Sequence, residues 1–125
     1  MSNIVLIDHT EERLRISRQL LGTGHHVVET SDAGLVIQMV NGHINSSKID
    51  AIIINSQLPK IYGSDAVTYF RTTYPNLPLI VILNSPDAAL ANNYLGMGVK
   101  DILIKPIDNN YLLKAVNKVV VPSSK

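Results

Sequence analysis

The chain contains no cysteine, and charged residues make up only 17% of its 125 positions. Without cysteine there can be no disulfide, no thiol nucleophile and no thiolate metal site. Lysine and arginine occur only singly and the formal net charge is +1, whereas direct nucleic-acid binding needs clustered positive charge. These features fit a cytoplasmic protein that makes no direct contact with nucleic acid.

Long hydrophobic runs are also missing. No apolar run approaches the roughly 20 residues that a membrane-spanning helix needs, and no basic segment leads into a long apolar stretch near Met1. We therefore expect neither a signal peptide nor membrane contact. Because 46% of the residues are apolar, we expect residues 1–121 to form one globular domain. Residues 122–125 are expected to be a frayed tail or the start of a linker.

Five apolar runs alternate along the chain with five helical patterns. The predicted strands are Ile4–Ile7, His26–Glu29, Ala51–Ile54, Leu79–Leu83 and Ile102–Ile104. The predicted helices are Glu11–Leu21, Asp32–Val40, Ser64–Tyr74, Asp87–Leu95 and Asp108–Val120. Continuous apolar runs favour strands buried on both faces of a parallel sheet, and the shorter, more polar second run is typical of an edge strand. Strict alternation predicts an α/β fold with a single doubly wound five-stranded parallel sheet.

Local signals set the predicted ends of the helices. Thr10 is predicted to cap the first helix, which stops at Gly22. In the last helix one stripe is predicted to be buried while the other side faces water. The buried stripe is Leu112, Ala115, Val116, Val119 and Val120, and the water-facing residues are Lys114, Asn117 and Lys118.

Polar side chains follow several of the predicted strands, where the carboxyl ends of parallel strands meet at one edge of the sheet. Asp8 and His9 follow the first strand, Asn55 the third and Lys105 the fifth, while Leu83 ends the fourth. A carboxylate and a lysine there would form an acidic pocket with a charge partner. An amide such as Asn55 is neutral, weakly nucleophilic and a poor metal ligand, so it cannot replace a carboxylate that accepts a phosphoryl group.

Four stretches resemble the receiver domain of two-component response regulators. They are I-V-L-I-D at 4–8, I-D-A-I-I-I-N-S-Q-L-P-K-I-Y-G at 49–63, L-P-L-I-V-I-L at 77–83 and G-V-K-D-I-L-I-K-P-I at 98–107. The similarity extends from Asn3 to Val120. It implies a flavodoxin-like fold and a role in phosphorelay-type signal transduction.

The resemblance also implies roles for individual residues. Receivers hold Mg²⁺ with an acidic pair after the first strand and accept phosphate on an aspartate that ends the third. Asp8 matches one member of the acidic pair, Lys105 matches a lysine that contacts the phosphoryl group, and Pro106 matches a proline after a cis bond. Other positions differ from the family: His9 replaces the second acid and Asn55 the phospho-acceptor.

Two further positions depart from the family pattern. Leu83 stands where receivers carry a hydroxyl that contacts the phosphoryl group, and Ile102 occupies the site of the aromatic switch residue. We therefore expect an atypical receiver, or pseudo-receiver, with no catalytic residue, no cofactor and no metal beyond weak Mg²⁺ binding at Asp8. Asp8 can alternatively form a purely structural ion pair with Lys105. Asn55 can bond locally with Lys105 or with backbone, or mimic a fixed signalling state.

The expected function is signalling through protein–protein contacts. The expected partners are a histidine kinase-like protein, an output domain or a second copy of the chain. By resemblance, the partner surface lies on the last two helices and the fifth strand. Its candidate residues are Tyr94, Lys100, Asp101, Ile102, Tyr111 and Lys114; the two tyrosines can alternatively be packing residues.

Two other functions remain open at this point. One is a receiver phosphorylated at an unusual acceptor, either Ser56 or Ser85, or at Asn55 after deamidation to aspartate. The other is a flavodoxin-like enzyme or ligand-binding domain, although the chain has no glycine-rich loop after the first strand and no nucleophile–base pair. We expect no enzyme activity.

Overall fold

The computed structural model describes residues 2–41, 49–58 and 62–120. Within these ranges, five parallel strands form one sheet in the order β2-β1-β3-β4-β5. The predicted α/β class and doubly wound parallel sheet are confirmed. The predicted tail at 122–125 lies outside the described residues.

Strands and helices alternate strictly along the chain. The strands are β1 (Ser2–Ile7), β2 (His25–Thr30), β3 (Ala51–Asn55), β4 (Leu79–Leu83) and β5 (Asp101–Ile104). The helices are α1 (Glu12–Leu21), α2 (Ala33–Asn41), α3 (Tyr62–Thr73), α4 (Ala88–Gly96) and α5 (Asn109–Val119). The predicted bounds agree with these to within one or two residues, the usual uncertainty at the end of an element.

The central strand β3 explains why the sheet is covered on both faces. All five of its residues are buried, and their side chains alternate between two apolar clusters. Ile52 and Ile54 pack in a cluster that includes Phe70 of α3, which we call the α3-side cluster. Ala51 and Ile53 pack in a second cluster that includes residues of α1 and α5, which we call the α5-side cluster. A continuous apolar run is therefore what this position requires.

The edge strand β2 differs from the other strands in composition. It lies at one end of the sheet, as predicted from its polar sequence. Val27 packs against the α5-side cluster, whereas Val28 is 51% exposed. A strand at the edge of the sheet can have one buried face and one face in contact with solvent, so it does not need a continuous apolar run.

Aspartate side chains cap the last two helices. Asp87 and Asp108 cap α4 and α5 by accepting bonds from the backbone N–H groups of Leu90 and Tyr111, at 3.0 and 2.9 Å. The prediction that Thr10 caps α1 is wrong. The N-cap of α1 is Glu11, which makes no side-chain cap bond. The Thr10 hydroxyl oxygen accepts from the Lys105 ammonium instead, and its proton is donated to Asp8.

The last helix buries one stripe, as its pattern predicts. The buried residues there are Leu112, Ala115, Val116 and, just beyond the helix, Val120. Val119 is partly buried, while Lys114, Asn117 and Lys118 are exposed. The helix thus covers the α5-side cluster and presents a polar face to solvent.

Candidate functional site

The carboxyl edge of the sheet brings together three polar side chains from separate strands. Asp8 directly follows β1, Asn55 ends β3, and Lys105 directly follows β5. Both Asp8 and Asn55 are fully buried, and the Lys105 side chain is 10% exposed. We call these three residues the strand-end site. The sequence prediction that they lie together agrees with this geometry.

The carboxylate of Asp8 accepts hydrogen bonds from four groups. Oδ1 accepts from the Thr10 backbone N–H at 3.2 Å, from Asn55 Nδ2 at 3.1 Å and from Lys105 Nζ at 3.2 Å. Oδ2 accepts from the Thr10 hydroxyl at 3.0 Å and lies 2.9 Å from Lys105 Nζ. The Lys105 ammonium also donates to the Thr10 hydroxyl. These bonds occupy the lone pairs of both oxygens.

Opposing effects act on the pKa of Asp8. Burial is the largest single effect and raises the pKa, because it disfavours the charged carboxylate. The hydrogen bonds from Lys105, Asn55 and Thr10, together with the positive charge of Lys105, outweigh burial, so that the pKa lies below its ordinary value of 3.8. The strand-end site therefore holds Asp8 as an anion paired with the Lys105 cation.

The amide of Asn55 has all of its principal hydrogen-bonding groups engaged. Its Nδ2 donates to Asp8 Oδ1 and, at 2.8 Å, to Asn84 Oδ1. Its Oδ1 accepts from the backbone N–H of Gln57 at 2.8 Å. The bond with backbone agrees with one of the sequence alternatives, but the partner side chains are Asp8 and Asn84 rather than Lys105.

His9 lies beside this network without joining it. Its Nδ1 is 3.8 Å from Asp8 Oδ1, which exceeds hydrogen-bonding distance, and this buried atom has no hydrogen-bond partner. No group of three His, Asp or Glu side chains that could hold a metal occurs among residues 2–41, 49–58 and 62–120. Asp8 is thus the carboxylate that the strand-end site offers to a cation.

Two residues at positions that the resemblance assigns to the site lie in the hydrophobic core instead. Leu83 is fully buried in the α3-side cluster, and Ile102 is 7% exposed in the same cluster. The next residue after Leu83 is Asn84, which contributes the polar group from this strand end. The Lys105–Pro106 peptide bond is cis, which is the geometry the resemblance implies.

The predicted partner surface needs a correction. Tyr94 is only 3% exposed and packs with Ile102 in the α3-side cluster, so neither residue can lie on a surface that meets a partner. An aromatic ring at this helix position adds more stability when buried than exposed. The exposed members of the set are Lys100, Tyr111 and Lys114, and Asp101 is partly exposed.

Asp101 links the exposed residues of β5 and α5. Its Oδ1 accepts from the Tyr111 hydroxyl at 3.0 Å, and its Oδ2 lies 3.5 Å from Lys118 Nζ. Partial burial and the hydrogen bond and charge of Asp101 raise the pKa of Tyr111. Leu95 and Ile104 add exposed apolar groups, at 45% and 39% exposure, on α4 and β5.

The sequence placed Asn84 at the carboxyl edge of the sheet with Leu83 and Ser85 but assigned no role to Asn84 or to Gln57. The Asn84 side chain accepts from Asn55, and the Asn84 backbone N–H donates to the Gln57 side chain at 2.7 Å. The available signal was the cluster of polar residues that follows β4. Which of these residues turns toward β3 depends on the conformation of the loop, which the sequence pattern does not encode.

Comparison with known proteins agrees with the fold. Residues 4–117 match the family described as response regulator receiver domain. The chain therefore belongs to the response regulator receiver domain family of two-component signal transduction. No helix in the described parts of the chain is long and apolar enough to span a membrane.

The relatives that this chain matches are much longer proteins. The CAI-1 autoinducer sensor kinase/phosphatase CqsS of Vibrio cholerae is 28% identical over 118 residues, which are 90% of this chain and 16% of that protein. Transcription factor SKN7 of Chaetomium thermophilum is 23% identical over 116 residues, which are 92% of this chain and 15% of that protein. The chain thus spans only a small part of the length of these relatives.

Solved structures resemble the whole fold. The crystal structure of a response regulator receiver domain protein from Clostridium thermocellum has a TM-score of 0.80 and is 25% identical. The match covers 95% of this chain and 94% of that chain. The fold expected from the sequence is therefore that of the family.

Proposed function

We propose that this receiver domain acts in signal transduction through protein–protein contacts, without phosphorylation of an aspartate at the end of β3. The observation that carries the proposal is the amide of Asn55 at that position. Phosphoryl transfer to a receiver needs a nucleophilic carboxylate and charge neutralisation around it. An amide supplies neither a negative charge nor an oxygen of sufficient nucleophilicity.

The hydrogen bonds of Asn55 support this reading. Both its nitrogen and its oxygen have partners within the domain, at 2.8 to 3.1 Å. A buried amide whose nitrogen and oxygen both have hydrogen-bond partners has a structural reason to be where it is. The residue thus stabilises the strand ends directly.

Magnesium binding is disfavoured by the state of Asp8. Mg²⁺ requires near-octahedral coordination by oxygen and is usually held by one or more carboxylates. The Asp8 oxygens already accept from Thr10, Asn55 and Lys105. A metal ion would have to displace Lys105 or another donor, and no second carboxylate of the strand-end site compensates for that loss.

The proposed alternative acceptors have poor geometry. Ser56 is 7% exposed and its Oγ is buried, which hinders approach by a phospho-donor. Deamidation of Asn55 requires the Ser56 backbone nitrogen to attack the Asn55 side chain. That nitrogen donates to the Ile82 carbonyl at 3.1 Å, so the sheet restrains it from the attack. Ser85 is exposed and is the acceptor that the experiment below must exclude.

The partner surface that we propose combines charged and apolar groups of α4, β5 and α5. It consists of Lys100, Asp101, Tyr111 and Lys114 with the exposed Leu95 and Ile104. Relatives named as a sensor kinase/phosphatase and as a transcription factor favour a kinase or an output domain as the partner class. We further propose a cytoplasmic location and no enzyme activity for this domain.

The test is treatment with a small phospho-donor and Mg²⁺ followed by intact-mass measurement, in parallel with a receiver domain that carries the acceptor aspartate. We expect one added phosphate on the control protein and none on this chain. A titration with beryllofluoride and Mg²⁺, followed by amide chemical shifts of Asn55, Leu83 and Lys105, should give no saturable change. A phosphate adduct or a saturable shift at these residues would contradict the proposal.

The variant Asn55→Asp identifies the cause of the expected result. It restores a carboxylate of almost the same volume at the end of β3. If the variant gains a response to beryllofluoride, Asn55 alone prevents phosphorylation. If it does not, His9 and Leu83 also contribute.

A further inference from the structure

Three hydrogen bonds form a closed ring between the loop after β3 and the loop after β4. Asn55 Nδ2 donates to Asn84 Oδ1 at 2.8 Å, and the Asn84 backbone N–H donates to Gln57 Oε1 at 2.7 Å. The Gln57 backbone N–H then donates to Asn55 Oδ1 at 2.8 Å. We call this the three-bond ring.

The chemistry of each member fixes the orientation of the amides. A backbone N–H can only donate, so the oxygens of the Asn55 and Gln57 side chains must face the two backbone nitrogens. The Asn55 nitrogen is then left to donate, and it needs acceptors on both sides. Asp8 supplies one acceptor and Asn84 the other.

The ring joins a rigid part of the molecule to an exposed one. Asn55 is fully buried and is anchored by Asp8. Gln57 and Asn84 are exposed. Asn84 is only three positions before Asp87, the residue that caps α4. Because so short a segment has little freedom, the position of Asn84 determines where α4 begins.

We propose that Asn84 is a positioning residue which, with Gln57, fixes the start of α4 relative to β3 through an amide ring that requires no phosphoryl group. The inference rests on the proposed function, since α4 contributes to the proposed partner surface. The ring holds that surface in one arrangement at all times. Its members are neutral, so the arrangement does not depend on a charge at the end of β3.

The test is amide hydrogen exchange of the full chain carrying Asn84→Ala. The reporter is the Leu90 amide, which donates to the Asp87 cap at 3.0 Å. We expect its exchange to become about fivefold faster, which is the factor for one neutral hydrogen bond. The Tyr111 amide makes the corresponding bond to Asp108 at 2.9 Å in α5, and its exchange should not change.

Three further variants separate positioning from a general loss of stability. Asn84→Asp keeps an oxygen that can accept from Asn55, and we expect exchange of the Leu90 amide at the wild-type rate. Gln57→Met removes the acceptor on the other side of the ring. It should accelerate exchange of the Leu90 amide as Asn84→Ala does. The double variant Asn84→Ala/Gln57→Met should add little to either single change, because each opens the same ring.

Three results would overturn the proposal. They are unchanged Leu90 exchange in Asn84→Ala and Gln57→Met, equal acceleration at Tyr111, and failure of Asn84→Asp to retain the wild-type rate. None of these measurements involves a phospho-donor. A phosphate adduct on the wild-type chain would contradict the proposed function alone, so the two failures are distinguishable.

Discussion

Asp8 is held in the folded chain by donors that come from three different parts of the sequence. Thr10 is local, whereas Asn55 and Lys105 lie 47 and 97 positions away. An unpaired carboxylate at this depth would be strongly destabilising, and removing one partner of a buried pair generally costs more than the pair contributes. The ionisation of this one residue therefore affects the stability of the whole strand-end site.

The pH dependence of stability follows from the lowered pKa of Asp8. In the unfolded chain the group titrates near 3.8, and in the folded chain it titrates at a lower pH. Its contribution to the free energy of unfolding is fully present above the unfolded pKa and is lost as the pH falls through the folded pKa. Asp8→Asn should remove this contribution, lowering the free energy of unfolding at pH 7 by about 2 kcal/mol.

Urea unfolding between pH 7 and pH 3 checks this prediction. The free energy of unfolding of the wild type should fall more steeply below about pH 4 than that of Asp8→Asn. Asp32→Asn is the matched control, because Asp32 is exposed and an asparagine oxygen can also accept the bond that the Gly34 backbone N–H donates to Asp32 Oδ1. Parallel pH curves for the wild type and Asp8→Asn would show that Asp8 is not held in this way.

The sequence identified Asp8, Asn55 and Lys105 because the rule for parallel strand ends concerns position along the chain. It could not assign a role to Asn84, because the alternation of side chains stops where the strand stops. Tyr94 was ambiguous for a different reason: its ring is apolar and its hydroxyl is polar, so either a buried or an exposed position is consistent with its type. Whether Tyr94 is buried is decided by the residues that pack against α4.

At the scale of elements, the connection from α4 to β5 depends on a glycine. Gly98 has φ of +100°, a region that other residues adopt only with strain. A Cβ at this position would lie 2.5 Å from Arg71 Nη2. Arg71 is itself fixed, because its Nε donates to the Met97 carbonyl at 3.0 Å and its Nη1 to the Pro75 carbonyl at 2.9 Å.

Gly98→Ala should therefore lower the free energy of unfolding by about 2 kcal/mol, from backbone strain and displacement of Arg71. Gly96→Ala is the matched control, since a Cβ there meets no atom within 4 Å and the residue ends α4. That variant should be neutral or slightly stabilising, because alanine favours helix more than glycine does. Equal urea midpoints for the two variants would contradict the role given to Gly98.

The sequence predicted the existence and order of the elements because continuous apolar runs and helical periodicity are strong signals over several residues. It was less accurate at the ends, as Thr10 illustrates. A threonine before a helix is a good cap in isolation, but here its hydroxyl oxygen already accepts from the charged Lys105 ammonium, and its proton is donated to the acceptor Asp8. That acceptor is brought into position by the chain turn after β1, which a local pattern does not encode.

For the whole molecule, the two apolar clusters share the strands that separate them. Ile52 and Ile53 are adjacent in β3 and both fully buried, yet they belong to different clusters. A change in either cluster therefore acts on the same backbone. This arrangement favours a single cooperative unfolding transition.

Tyrosine fluorescence can distinguish cooperative unfolding from separate loss of the two clusters, since the chain has no tryptophan. Tyr69, Tyr74 and Tyr94 all pack in or against the α3-side cluster. Ile53→Ala removes methyl groups from the α5-side cluster and should lower the free energy of unfolding by about 3 kcal/mol. If the two clusters unfold together, the urea midpoints from tyrosine fluorescence and from far-UV circular dichroism should shift equally. A tyrosine midpoint that stays at the wild-type value would show that the α3-side cluster remains folded after the α5-side cluster has unfolded. In that case β3 does not couple the two clusters.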